Sequence, residues 1–280
     1  MEQKKFILGM GMAKSGTTWL HNYLCSRPDY IMGPNKEMHT FIQPERGSMI
    51  SALFHIPWEK YSGREWLHRE IIKDRFRVNH TRYFDYFAKI MDENGAGASG
   101  DLSPSNQHLS IELLRNIKRE FESRGIKVVP VFLMRDPVDR LHSLVRYRKR
   151  MRAHKKFLAP ETEAESVRFL TRLHFDSASH APATLYALNT VFPGQAVTMM
   201  YETMFDQTRI NSLMDQIGLP HKLADFQPVN ATEKEESLSE DIALTAALTY
   251  AGTYRAANNL FGFDTVQAHW PYAALANEKS

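Results

Sequence analysis

Two kinds of run alternate along the chain. Short, nearly continuous apolar or small-residue stretches fall at residues 6–9, 30–32, 95–100, 127–134 and 196–201, the pattern of strands buried on both faces. Between them lie segments with helical spacing. Residues 105–122 place Leu109, Leu113, Leu114, Ile117 and Phe121 on one face. After Arg135-Asp136-Pro137, a second helix turns Leu141, Leu144, Val145 and Met151 inward, and residues 241–260 read as one long helix. Another runs from a turn after the first strand to about Leu24 and closes before Pro28. Strands alternating with helices predict a parallel sheet with crossover helices on its faces. Residues 127–134 are the central strand by this reading, although Pro130 lacks the N–H that a ladder needs. Between Gln43 and Lys89 the pattern weakens. There Trp58, Trp66, Tyr83, Phe84, Tyr86 and Phe87 suggest helices or a lid around a binding site.

Composition adds bounds. At 43% hydrophobic and 24% charged residues over 280 positions, the chain is neither disordered nor fibrous. No repeat or Gly/Ser linker divides it, so the expectation is a single domain over residues 1–280, with 43–90 as an insertion. The most apolar run, residues 128–134, is far short of the roughly 20 residues that span a bilayer. A lone cysteine, Cys25, cannot close an internal bridge, which points to a reducing compartment and a cytoplasmic location. Net charge is only +3, yet residues 140–156 hold eight cations in 17 positions. That concentration reads as a solvated helix calling for an anionic partner. With Tyr147 as its one interleaved aromatic, it suits nucleic acid poorly.

The sharpest chemistry lies in the turn after the first strand. A strand, a glycine-bearing turn and a helix N-terminus make an anion site, because backbone N–H groups converge there and the helix dipole favours negative charge. Gly11 and Gly16 permit the backbone, Lys14 adds a cation, and Thr17 and Thr18 add hydroxyls. The glycines keep the spacing of G-x-x-x-x-G-K-[ST], but Thr17 stands where that motif has lysine, and the lysine has moved into the loop as Lys14.

Lys14-Ser15-Gly16-Thr17-Thr18-Trp19 resembles the 5′-phosphosulfate loop of the sulfotransferases that use 3′-phosphoadenosine 5′-phosphosulfate (PAPS). Arg135 at a strand end, with Ser143 eight residues on, resembles the family's 3′-phosphate element and lies 121 residues beyond Lys14. Lys36-Glu37-Met38-His39-Thr40-Phe41 is similar to a segment of the carbohydrate (heparan-type) members that carries the catalytic glutamate. Residues 100–105 and Tyr201-Glu202 match later parts of that group, and the resemblance runs from about residue 5 to 205. It departs from the group at Leu102, where lysine is usual, and at the C-terminus, where Lys234 is a weak substitute for a basic nucleotide loop.

The resemblance implies a P-loop-NTPase-like three-layer α/β fold and transfer of a sulfuryl group from PAPS to a hydroxyl, releasing adenosine 3′,5′-bisphosphate. It places Ser15, Gly16, Thr17 and Thr18 on the 5′-phosphate, Trp19 on adenine, and Arg135 with Ser143 on the 3′-phosphate. Lys14 attends the leaving oxygen, and Glu37 is the general base with His39 as rival. No metal is required, since Lys and Arg neutralise the charge. A carbohydrate or glycoconjugate acceptor comes first, a lipid or polyketide hydroxyl second, in a soluble bacterial-type enzyme. The competing readings are a P-loop kinase or NTPase and a polyanion-binding module.

Overall fold

Alternation inside two short strands sets the layers. In β1 (Lys4–Gly9), Phe6 and Leu8 point to one side of the sheet and Ile7 to the other. In β3 (Ile126–Met134), Val128, Phe132 and Met134 are opposed to Val129, Val131 and Leu133. Two apolar faces need two covers, and the computed structural model supplies them. It describes residues 3–41, 64–152, 180–227 and 238–277.

With β2 (Ala98–Asp101) and β4 (Val197–Met200), the strands form one parallel sheet in the order β2-β1-β3-β4, flanked by helices. α1 (Thr17–Cys25) covers the Ile7 face, later joined by α7 (Gln207–Ile217) through Ile210, Leu213 and Met214. The Phe6 face is covered by α3 (His80–Glu93), α4 (Ile111–Glu122), α5 (Pro137–Arg152) and α6 (Ala181–Val191). α2 (Arg64–Val78) precedes α3, and α8 (Glu240–Thr249), α9 (Ala251–Phe261), α10 (Phe263–His269) and α11 (Ala273–Asn277) close the described chain.

Pro130 fits the central strand for a topological reason. The Val131 carbonyl and the Leu133 N–H bond towards the β1 side, so by alternation Pro130 faces β4, whose pairing starts only at Val131↔Val197. Its missing donor costs no ladder bond.

Three expected elements differ. The strand expected at 30–32 is a single bridge, Tyr30 to Ala98, beyond which the chain leaves the sheet edge. The helix expected over 105–122 is a 3₁₀ turn (Pro104–His108) followed by α4, whose N-cap Ser110 accepts from the Leu113 N–H at 3.2 Å. The long helix at 241–260 breaks at Tyr250, which is buried and departs from helical φ/ψ, so α8 ends at Thr249 and α9 starts at Ala251.

Helices do form in the weakly patterned stretch. Tyr83, Phe84 and Phe87 lie in the main core, with the Phe87 ring 4.8 Å from Phe6, which itself stacks on Phe121 at 4.0 Å. Each such pair contributes roughly 0.5–1.5 kcal/mol beyond its area. These three rings therefore hold the sheet. Trp58 and the Trp66 side chain lie outside the described residues.

Candidate active site

All four parallel strands end at one edge, and the expected site residues leave from those ends, as ligand-binding groups do in open α/β sheets. After β1 the chain enters the glycine turn. Gly16 is the N-cap of α1 with φ 83°, and a Cβ there would lie 2.8 Å from Met204 Sδ and 3.0 Å from the Tyr201 ring. Glycine is required for conformation and for space. No side chain caps α1, so its first-turn N–H groups face no competing cap. Beside them, Ser15 Oγ is fully buried and has no hydrogen-bond partner among the described residues. A buried hydroxyl at an uncapped helix start suits an oxyanion. Lys14 has φ 67°, and its ammonium lies 4.4 Å from the centroid of the Tyr147 ring on α5.

Arg135, just past β3, meets this turn directly: Nη1 donates to the Lys14 carbonyl at 2.8 Å. Its Nε and Nη2 donate to Asp139 Oδ2, and its guanidinium stacks 4.4 Å over the Tyr201 ring. Arg140, fully buried, donates to the Ala13 carbonyl at 3.3 Å. The expected solvated helix therefore begins with a buried cation, because the turn's carbonyls need donors. Ser143 is buried on α5 two turns beyond Arg135, and its hydroxyl bonds neither to the arginine nor to the turn.

Under Arg135 lies a second set of carboxyl groups. Asp136 caps α5, accepting from the Val138 and Asp139 N–H groups, from Tyr254 Oη and from the Tyr272 N–H. Its own N–H donates to Glu202 Oε1, while Trp270 Nε1 donates to Glu202 Oε2 at 2.9 Å. Burial pushes the Glu202 carboxyl up to about 7, against the bond from the Asp136 N–H.

Glu37 and His39 sit on the segment beyond the Tyr30 bridge. That segment is fastened to the end of β2: the Leu102 N–H donates to the Lys36 carbonyl at 3.1 Å, and buried Asp101 accepts from the Met38 N–H and from Tyr83 Oη. Asp101 and Ser103 anchor this segment: Ser103 Oγ accepts the His39 N–H at 3.0 Å, and Asp101 accepts the Ser103 N–H. A polar chain then runs through the site. Lys36 Nζ donates to Thr18 Oγ1 at 2.8 Å and to Glu37 Oε1 at 2.7 Å. Glu37 Oε2 lies 3.2 Å from His39 Nε2, and His39 Nδ1 lies 2.7 Å from Ser105 Oγ. Burial raises the proton affinity of Glu37, but the bonds from His39 and Lys36 outweigh it and hold the carboxyl at about 2.

The sequence profile of the family described as "Sulfotransferase family" matches residues 6–223, well over half of the chain. The chain belongs to the sulfotransferase family. No curated protein sequence matches it. Among solved structures it is similar to a sulfotransferase from Alicyclobacillus acidocaldarius, with TM-score 0.57, 16% identity, and 93% of this chain and 96% of that one covered. It is also similar to the sulfotransferase domain from the curacin biosynthetic pathway, with TM-score 0.46, 15% identity, and coverage of 79% and 76%. At 16% identity the first likeness is one of fold.

Most of the expected site residues of the sulfotransferase gather at the sheet's C-terminal edge. Trp19 is the one whose environment differs from its expected use. Its ring is buried, parallel to Tyr23 at 5.7 Å and to Phe226 at 5.6 Å, and its Nε1 donates to the Asp225 carbonyl. Both faces are thus covered by protein. Lys234 lies outside the described residues. The sequence gives neither Lys36 nor Asp101 a role of its own. The signal for Lys36 was its place beside Glu37; the Thr18 contact depends on the fold. No helix among the described residues is long and apolar enough to cross a membrane, and no group of three or more potential metal ligands occurs among them.

Proposed function

We propose that the sulfotransferase takes its sulfuryl group from PAPS and delivers it to a hydroxyl acceptor, releasing adenosine 3′,5′-bisphosphate. One observation carries this reading: Arg135 donates to the Lys14 carbonyl, so the phosphosulfate-type turn and the strand-end arginine form one wall. A doubly phosphorylated adenosine is a ligand with an anion at each end for such a wall. The unpartnered Ser15 hydroxyl supports an oxyanion at the turn.

When bound, PAPS supplies the sulfuryl group, and its phosphate is the leaving group. The chain's residues do the rest. The first turn of α1, with Ser15, Thr17 and Thr18, holds the 5′ end, and Lys14 swings from Tyr147 to neutralise charge on the leaving oxygen. Arg135 turns its fork to the 3′-phosphate, sharing it with Asp139, and the Ser143 hydroxyl assists. Glu37 takes the acceptor's proton as the new O–S bond forms and the sulfur–phosphate oxygen bond breaks; a residue in that role supplies ~10²–10⁴-fold. His39, bonded to both Glu37 and Ser105, orients the carboxylate and is the alternative base. Adenine stacking on Trp19 requires Phe226 to leave its parallel position. The favoured acceptor is a carbohydrate or glycoconjugate hydroxyl, with a lipid or polyketide hydroxyl second.

Calorimetric titration tests the donor. Adenosine 3′,5′-bisphosphate is expected to bind without Mg²⁺ and at least about tenfold more tightly than ATP, the value of one charge-assisted contact to the 3′-phosphate. Tighter, Mg²⁺-dependent ATP binding would replace this reading with that of an NTPase or kinase.

A further inference from the structure

Lys36 occupies a position that the donor reading, on which this inference rests, does not yet use. Its ammonium bridges two parts of the site: Thr18 Oγ1, in the first turn of α1, and Glu37 Oε1, on the candidate base. The side chain is 22% exposed, and its backbone carbonyl is held by the Leu102 N–H. It is therefore a placed charge rather than a freely sampling surface chain. An ammonium has three N–H donors, and two are spent on these bonds.

Elementary electrostatics turns that placement into a competition. With the turn free of anions, the Glu37 carboxylate is the negative group bonded to Lys36. An anion accepting a hydrogen bond from Thr18 Oγ1 would lie within about 6 Å of Lys36 Nζ, two hydrogen-bond lengths at most. A phosphate or phosphosulfate brings more charge than one carboxylate, beside an ammonium that is only partly exposed. The ammonium then leans towards the donor, and the carboxylate loses a bond that suppresses its basicity.

We propose that Lys36 is a donor-site cation, handed from Glu37 to the donor's 5′ end, so that filling the donor site releases the base carboxylate for the acceptor. Base strength is thereby coupled to donor occupancy, and the carboxylate stays tied up until a donor is present.

The test is a double-mutant cycle on the affinity for adenosine 3′,5′-bisphosphate, read by calorimetry. Glu37→Gln removes the competitor for Lys36 and is expected to tighten binding about fivefold, the low end of site–site coupling. Lys36→Met is expected to weaken it about tenfold. The double variant should bind like Lys36→Met alone, because the gain from Glu37→Gln passes through the ammonium. A merely structural Lys36 would leave the two effects additive. Unchanged binding in Glu37→Gln, or a gain that persists in the double variant, overturns the proposal while leaving the donor reading intact. Absence of binding by the wild-type protein overturns both. Thermal melts check the folding of each variant, and if Lys36→Met fails to fold, Lys36→Gln takes its place in the cycle with the same two outcomes.

Discussion

Arg135 illustrates how much one side chain holds at once. It donates to the Lys14 carbonyl, pairs with Asp139 and stacks on Tyr201, all while nearly buried. Arg135→Ala should lower the affinity for adenosine 3′,5′-bisphosphate about a hundredfold in calorimetry, since truncating a buried, bonded charge costs ~2–5 kcal/mol. Arg135→Lys should recover only part of this, because an ammonium lacks the planar fork. Unchanged binding in the alanine variant would remove Arg135 from the donor site. Glu37 teaches a different lesson. The likeness of its segment to the carbohydrate sulfotransferases made it a candidate base, yet its bonds to Lys36 and His39 make it a weak one in the free protein. The sequence shows a carboxylate; only its neighbours say how basic it is.

At the scale of elements, the turn between β1 and α1 carries the tightest constraint. Gly16→Ala would incur both a left-handed backbone and a Cβ 2.8 Å from Met204 Sδ. Gly194→Ala serves as the control, with φ 67° and nothing within 4 Å of the added Cβ. Chemical denaturation should show a loss of ~1–2 kcal/mol for Gly194→Ala, the left-handed penalty alone. A clearly larger loss is expected for Gly16→Ala. Equal losses would mean that Met204 moves aside freely. Helices and strands with strong periodicity were legible here: β1, β3, α1 and the start of α5 fall where the pattern places them. The break at Tyr250 and the 3₁₀ turn at 104–108 were not, because periodicity averages over a window and cannot register a single residue leaving the helix.

For the molecule as a whole, the Asp136–Glu202 pair is the clasp. It joins the end of β3, the end of β4 and the C-terminal helices through Tyr254, Trp270 and Tyr272. Glu202 is raised to about 7, so the native state holds a proton that the unfolded chain releases near 4.3. Between those values the folded state binds more protons, so stability falls as pH rises through that window. The thermal midpoint is expected to climb as pH is lowered from about 8 to about 5, and Glu202→Gln should lessen that climb, with Asp136, pushed up to about 6 by burial, supplying the rest. An equally steep dependence in the variant would place the titration elsewhere.

By itself the sequence determined the parallel α/β class, which residue type and spacing along the chain carry. Its resemblance to the sulfotransferases made the glycine turn and Arg135 candidates for one site. Tertiary structure alone decided that Arg135 bonds the Lys14 carbonyl, that Trp19 has both faces covered, and that Lys36 spans Thr18 and Glu37. Each of these is a distance between groups brought together by sheet pairing and helix packing, and such distances have no signature in local periodicity.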